Sequence, residues 1–293
     1  MIYLHLGLHK TATTSLQSSI FESLSGVRFI GRRDIPYKMQ SQLYKDILDY
    51  CMCGDDEKYS AVREELTKYS LESATEDFLL SDEWFTAGYA YPCGFSGTEW
   101  QERIRRLALL VRGFDVKVFV VVRLPSAGIL SQYQQLQTVG IADKFLSYND
   151  YIHRSTDIDA WDVDYLRSQL TALFKSVTIL DFEDIIDSEA SGEKLSDIFE
   201  RDVPSLTVVT NSKSFDRSTE YLTRTSFANW LTDFLPLSFH RNLRKLLKVN
   251  FFKRLWHVLS TSLVRVEKNR YSKDTETRMR LEKLDNSYKS LRN

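Results

Sequence analysis

One strand limits the fold more than any other segment. Lys117-Val-Phe-Val-Val-Val122 runs through five consecutive apolar residues after its lysine. A strand with one wet face alternates apolar and polar residues. An unbroken run has both faces covered, as in an interior strand of a parallel sheet. Other segments agree with that reading. Residues 2–7 read as a buried strand, followed by a polar turn and a helix over 14–24. Residues 38–75 read as helical, 77–81 as a short strand, and 97–112 as an amphipathic helix with Trp100, Ile104, Leu107 and Val111 on one face. A helix over 126–138, another over 162–175 and a strand over 177–182 complete the alternation. Strands alternating with helices predict an α/β fold of three layers around a central, mostly parallel sheet. From about residue 217 strand signals stop and helical patterns run to the end. The expected organisation is an α/β core over 1–215 and a C-terminal helical extension over 216–293, packed on that core.

Charge and composition remove several function classes. Lys+Arg number 39 and Asp+Glu 40, so a globally basic nucleic-acid binder is not expected. No apolar run approaches the ~18 residues that span a bilayer. The first residues, Met1-Ile-Tyr-Leu-His-Leu-Gly-Leu8, lack the basic start and small-residue cleavage site of a signal peptide. Three cysteines, Cys51, Cys53 and Cys93, do not make a disulfide framework and suit a reducing compartment. Cys51 and Cys53 are one residue too close for the usual CxxC zinc pair, and no second pair exists. The expected address is the cytoplasm or the inner face of a membrane.

The first strand leads into Gly7-Leu-His-Lys-Thr-Ala-Thr-Thr-Ser-Leu-Gln17. A strand, a turn of small hydroxyl residues and a helix start make a phosphate cradle. Outward N–H groups and the helix dipole favour an anion there, and a lysine completes the site. The plainer reading is a strand–helix connection with ordinary Thr/Ser caps. A Walker A loop is excluded, because its two glycines would fall on Leu4 and His9.

This segment closely resembles the 5′-phosphosulfate loop of the PAPS-dependent sulfotransferases, roughly K-T-G-T-T-S-L-Q. Ala12 stands where glycine is usual, and a positive φ there would strain it. The resemblance implies that Lys10 contacts the 5′-phosphate and the sulfuryl bridge. It implies that Thr11, Ala12, Thr13, Thr14 and Ser15 line the loop with backbone or hydroxyl donors. The family's second element is a strand ending in Arg, with Ser eight residues later in the next helix. Val120-Val-Val-Arg123 and Ser131 fit it. By itself, Arg123 at the carboxyl end of a buried parallel strand is where ligands of open α/β sheets bind, and its fork suits phosphate oxygens. The resemblance assigns both residues to the 3′-phosphate. A weaker likeness at Thr210-Asn-Ser-Lys213-Ser places Lys213 near the nucleotide.

Phe78-Leu-Leu-Ser-Asp-Glu83-Trp-Phe85 ends a strand in two carboxylates. A Walker B strand with Asp82 on Mg²⁺ is one reading, disfavoured by the failed Walker A loop. Carbohydrate-type sulfotransferases carry a Glu in a similar L-x-S-x-E segment, which makes Glu83 the expected general base. Flanking Trp84 and Phe85 would partly desolvate it. The competing base is His9. The expected activity is sulfuryl transfer from PAPS to a hydroxyl of a carbohydrate or glycolipid-type acceptor, releasing PAP, with no metal required. The alternatives are a P-loop small-molecule kinase using ATP and Mg²⁺ and a non-catalytic nucleotide-binding scaffold.

Residues 238–270 carry nine Lys/Arg, from Arg241 to Arg270, against Glu267 alone, interleaved with Leu, Phe and Trp256. Basic amphipathic helices of this kind can lie at an anionic membrane surface, where this one would help recruit a membrane-linked acceptor. The competing reading is a helical subdomain that packs its apolar stripe on the sheet.

Overall fold

The computed structural model describes residues 1–31, 41–72, 76–87, 99–138, 145, 147–206, 222–226, 263–268 and 273–292. The chain divides into two compact units. One comprises Met1–Leu146, Asp150–Ser212 and Thr275–Asn293; the other comprises Ser147–Asn149 and Lys213–Asp274.

The strands of the first unit are β1 (Ile2–His5), β2 (Val27–Gly31), β3 (Asp77–Ser81), β4 (Val116–Val122) and β5 (Ser176–Asp181). They form one sheet in the order β2-β3-β1-β4-β5, parallel throughout. The expected α/β architecture is therefore present, with the apolar β4 in the interior between β1 and β5. The helices are α1 (Thr13–Ser19), α2 (Gln42–Cys53), α3 (Lys58–Glu72), α4 (Trp100–Leu110), α5 (Pro125–Thr138), α6 (Tyr148–Arg154), α7 (Val163–Leu173), α8 (Phe182–Ile186), α9 (Ser188–Phe199) and α10 (Thr275–Lys289).

Handedness sorts the helices onto the two faces. The chain moves one way across the sheet from β1 to β2, and the other way from β2 to β3, β3 to β4 and β4 to β5. Right-handed crossovers then put α1 on one face and the later connections on the other. The packing agrees. Tyr3, Leu79, Phe119, Val121 and Leu180 form a buried cluster with Leu16 and Ile20 of α1 and with Ile185, Leu195, Ile198 and Phe199 of α8 and α9. The alternate strand residues Leu4, Leu80, Val118, Val120 and Val122 are buried as well. Among the helices, α2 packs on α3 and α4, and α4 packs on α7. This geometry fixes where a ligand can sit. The chain leaves β1 and β4 in opposite directions, so their adjoining carboxyl ends form the topological switch point of the sheet.

The terminal helix α10 docks on this unit through polar contacts. Ser126 N–H of α5 donates to Asp285 Oδ1 (2.8 Å), and Val163 N–H of α7 donates to Ser287 Oγ (3.1 Å). Asp181, at the end of β5, accepts the Tyr288 hydroxyl (2.6 Å) on one oxygen and faces Arg292 Nε (2.8 Å) on the other. Leu281, Leu284 and Tyr288 are buried.

Two expectations are corrected. The stretch after residue 217 is not helical throughout. In the second unit Leu222–Ser226 (β6) and Leu263–Lys268 (β7) pair antiparallel, with Thr223 opposite Glu267 and Thr225 opposite Arg265. The reason is visible in Leu263-Val-Arg-Val-Glu-Lys268, where Val264 and Val266 alternate with charges at a period of two. The expected basic amphipathic helix therefore does not include residues 263–268; the rest of 238–270 lies outside the described residues. Cys51 is buried, and burial pushes its thiol well up. Cys53 is disulfide-bonded, against the expectation of cysteines suited to a reducing compartment. Among the described residues no helix is long and apolar enough to cross a membrane.

Candidate active site

The turn after β1 is built by a few close contacts. Leu6 and Leu8 are buried, which anchors its entry. Thr11 closes it: the hydroxyl donates to the Leu8 carbonyl at 2.6 Å, so this side chain is used inside the loop. Gly7 has no room for a side chain, since a Cβ there would lie 2.3 Å from Thr13 Oγ1. Lys10 and Ala12 both have positive φ, 66° and 62°, while Thr11 between them does not. Backbone whose φ alternates in sign turns successive N–H groups toward one side, making an anion-binding concavity. The helix α1 starts at this point with no side-chain cap on its first N–H groups. Thr13 Oγ1 is buried and has no hydrogen-bond partner among the described residues.

Ala12 thus adopts the left-handed conformation that glycine tolerates, at φ 62° and ψ 14°. An L-residue is disfavoured there by ~1–2 kcal/mol, while glycine adds unfolded-state entropy of ~0.5–1 kcal/mol. Ala12→Gly is therefore expected to stabilise the protein by up to about 1 kcal/mol in urea unfolding. A loss of stability would show that the loop is not held in this conformation.

Arg123 reaches the same loop from the end of β4. Its Nη1 donates to the Lys10 carbonyl at 3.0 Å, and its guanidinium lies 4.5 Å from the centre of the Phe182 ring. The two elements singled out in the sequence, more than a hundred residues apart, are therefore joined at the switch point. Lys10 and Arg123 are each half-buried, as are Ala12 and Thr14, while Thr11, Thr13 and Ser15 are buried. Ser131 lies half-buried on α5. Lys213 lies outside the described residues.

The turn after β3 closes the third side. The two competing bases meet there: His9 Nδ1 is 3.3 Å from Glu83 Oε1. The other ring nitrogen of His9, Nε2, is 3.1 Å from the Ala87 carbonyl. His9 is buried and Glu83 keeps 14% of its side chain exposed. Trp84 and Phe85 are buried beside them. Thr86 ties the turn to the loop by donating to the Gly7 carbonyl at 2.8 Å. Asp82 is structural: it accepts the Trp84 N–H at 2.7 Å and the Tyr44 hydroxyl.

Beneath the site, His5 Nδ1 meets Ser81 Oγ at 2.7 Å, and Gln17 Nε2 donates to Ser81 O and Oγ, each at 3.0 Å. The His5 ring stacks on Phe119. Full burial pushes its pKa down to about 3, so His5 is neutral and takes no part as an acid.

Several supporting residues were not singled out from the sequence. Arg103 of α4 donates to the Trp84 carbonyl at 2.8 Å and pairs with Asp157, both side chains almost fully buried. The signal was present: Arg103 falls on the same helical face as Trp100, Ile104 and Leu107. A charge placed in an apolar stripe has to be paired. Gln17 and Thr86 had no such signal, because their roles depend on which strands are neighbours.

No protein-family model matches the sequence, and no curated protein matches it. Among solved structures, the chain is similar to the crystal structure of a sulfotransferase from Alicyclobacillus acidocaldarius. The two share 11% identity with a TM-score of 0.42, over 72% of this chain and 86% of that one.

Proposed function

We propose that this protein is a sulfotransferase that takes PAPS as donor and a hydroxyl-bearing carbohydrate or glycolipid as acceptor. The observation that carries the reading is the Arg123–Lys10 contact. It joins the two sequence elements that resemble the family's phosphate-binding elements, at the carboxyl ends of two adjacent parallel strands. The residues suit a nucleotide with two separated phosphate groups. The concave backbone of 10–13, the buried Thr13 hydroxyl and Lys10 suit the 5′ end. Arg123, with Ser131 on the following helix, suits the 3′-phosphate.

Bound PAPS would supply the sulfuryl group, whose bond to the bridging phosphate oxygen breaks as the bond to the acceptor oxygen forms. The protein's own part is positioning and electrostatics. Lys10 and the loop N–H groups hold negative charge where the leaving phosphate lies. Glu83, beside that loop, takes the acceptor proton. Buried Trp84 and Phe85 keep water from its back. The acceptor class rests on the likeness of Leu80-Ser-Asp-Glu83 to the carbohydrate-type members.

The test is a thermal-shift comparison. PAP is expected to raise the melting temperature, and ATP with Mg²⁺ to raise it far less, since Arg123 and Ser131 have no 3′-phosphate to hold on ATP. Equal stabilisation by ATP with Mg²⁺ favours the kinase reading instead. Binding of PAP without transfer from radiolabelled PAPS to any of a panel of glycans and glycolipids favours a scaffold.

A further inference from the structure

We propose that Phe182 is a positioning residue for Arg123, its ring holding the guanidinium ready for an anion. Calling that anion the 3′-phosphate of PAPS rests on the sulfotransferase reading; the positioning itself rests on geometry.

Strand register brings the two residues together. β4 and β5 run parallel, and Val122 of one pairs with Asp181 of the other. Arg123 and Phe182 are the next residues on each chain, so they leave the sheet side by side. Neighbouring strands lie about 4.8 Å apart, and the Arg123 guanidinium sits 4.5 Å from the centre of the Phe182 ring. The face of the ring carries partial negative charge, which attracts the cation. Stacking on that face spends none of the five N–H donors of the guanidinium. One of those donors, on Nη1, reaches the Lys10 carbonyl at 3.0 Å. The ring sets the plane of the guanidinium, and the carbonyl sets its rotation within that plane.

A support of this kind works only if it is itself held. Phe182 is half-buried and packs on the core cluster that includes Phe119, Val121 and Leu180. The residue before it is clamped. Asp181 accepts the Glu183 N–H at 3.0 Å and the Tyr288 hydroxyl at 2.6 Å, and it faces Arg292 Nε at 2.8 Å. The first contact starts α8; the others come from α10 and the residues just after it. The backbone that carries the ring is thus tied both to its own helix and to the end of the chain.

An arginine side chain loses rotamer freedom when it binds an anion, and that loss weakens binding. Where the guanidinium is already held, less freedom is lost. The gain is confined to the group that Arg123 contacts. Of two phosphates on one nucleotide, only the one held by Arg123 feels the Phe182 ring. Phe182 acts through Arg123, without touching the nucleotide.

The test compares PAP with AMP, which lacks the 3′-phosphate, by isothermal titration calorimetry. Wild type is expected to prefer PAP. Phe182→Leu removes the ring and keeps an apolar side chain. It is expected to weaken PAP binding roughly three- to tenfold and to leave AMP binding unchanged within about twofold. Phe182→Tyr keeps the ring and is expected to keep the wild-type preference. Equal losses for both ligands in Phe182→Leu would mean that the ring touches the base or supports the fold. No loss for either would mean that Arg123 needs no support. Both results overturn the proposal. A second readout, ¹⁵N-arginine NMR, needs no ligand. The Arg123 Nε–H signal, assigned through Arg123→Lys, is expected to be shifted by the ring in wild type and in Phe182→Tyr. In Phe182→Leu it returns toward the position of free arginine, and an unmoved signal overturns the positioning role. If wild type binds PAP no better than AMP, the assignment of Arg123 to a 3′-phosphate fails. The NMR comparison then still decides whether the ring holds the guanidinium.

Discussion

Glu83→Gln is expected to lower kcat by ~10²–10⁴, the range of a lost general base, while PAP stabilises the variant as well as it does wild type. The substitution keeps the size of the side chain and removes its ability to take a proton. Glu83 lies on the turn after β3, whereas the proposed phosphate cradle is residues 7–15 with Arg123. On that reading, nucleotide binding and proton removal are expected to separate. The measurement is steady-state turnover beside a PAP thermal shift. Full activity in Glu83→Gln would dismiss this carboxylate as the base, and loss of PAP binding would make it part of the cradle.

The second large effect is on stability. Arg103 and Asp157 form an ion pair at 2.5 Å with side-chain exposures of 3% and 9%. Asp157→Ala leaves a buried guanidinium without its counter-charge, which costs about 3–5 kcal/mol. Replacing both by apolar residues of similar volume, Arg103→Met with Asp157→Leu, is expected to recover most of that loss, because the pair's attraction is largely offset by desolvation. Urea unfolding of the two variants reads both outcomes. A loss under 1 kcal/mol in Asp157→Ala would mean that water reaches Arg103. Since Arg103 also holds the Trp84 carbonyl, the single variant should weaken turnover at temperatures where it still folds.

Much of the sheet was legible in the chain because its inner strands β1, β3 and β4 are mostly apolar and buried on both faces. Asp77–Ser81 and the β4 run stand out by composition, and their helices by period. The edge strand β2 did not: Val27-Arg-Phe-Ile-Gly31 is short, partly exposed and carries an arginine, so it has no clear pattern. Of the site, the loop and Arg123 were readable as local strand-end features. That His9 touches Glu83 was not readable, although both were named. Their meeting depends on β3 lying directly beside β1, a consequence of strand order that no local pattern encodes. The left-handed Ala12 was readable as a question, because alanine stood where a glycine would be at ease.

The docking of α10 has a consequence for how the molecule comes into being. Its contacts close sequence separations of 159 residues at Asp285, 124 at Ser287 and 107 at Tyr288. Long separations of this kind are formed slowly, since chain closure precedes any contact energy. During synthesis the five strands leave the ribosome well before residues 275–292 do. Until those residues arrive, the first turns of α5 and α7 lack these partners, and Asp181 lacks Tyr288 and Arg292 while still accepting the Glu183 N–H. Arg123 stands two residues before α5, so the arginine end of the candidate site waits on the terminal helix for the contacts that hold its neighbouring helix in place.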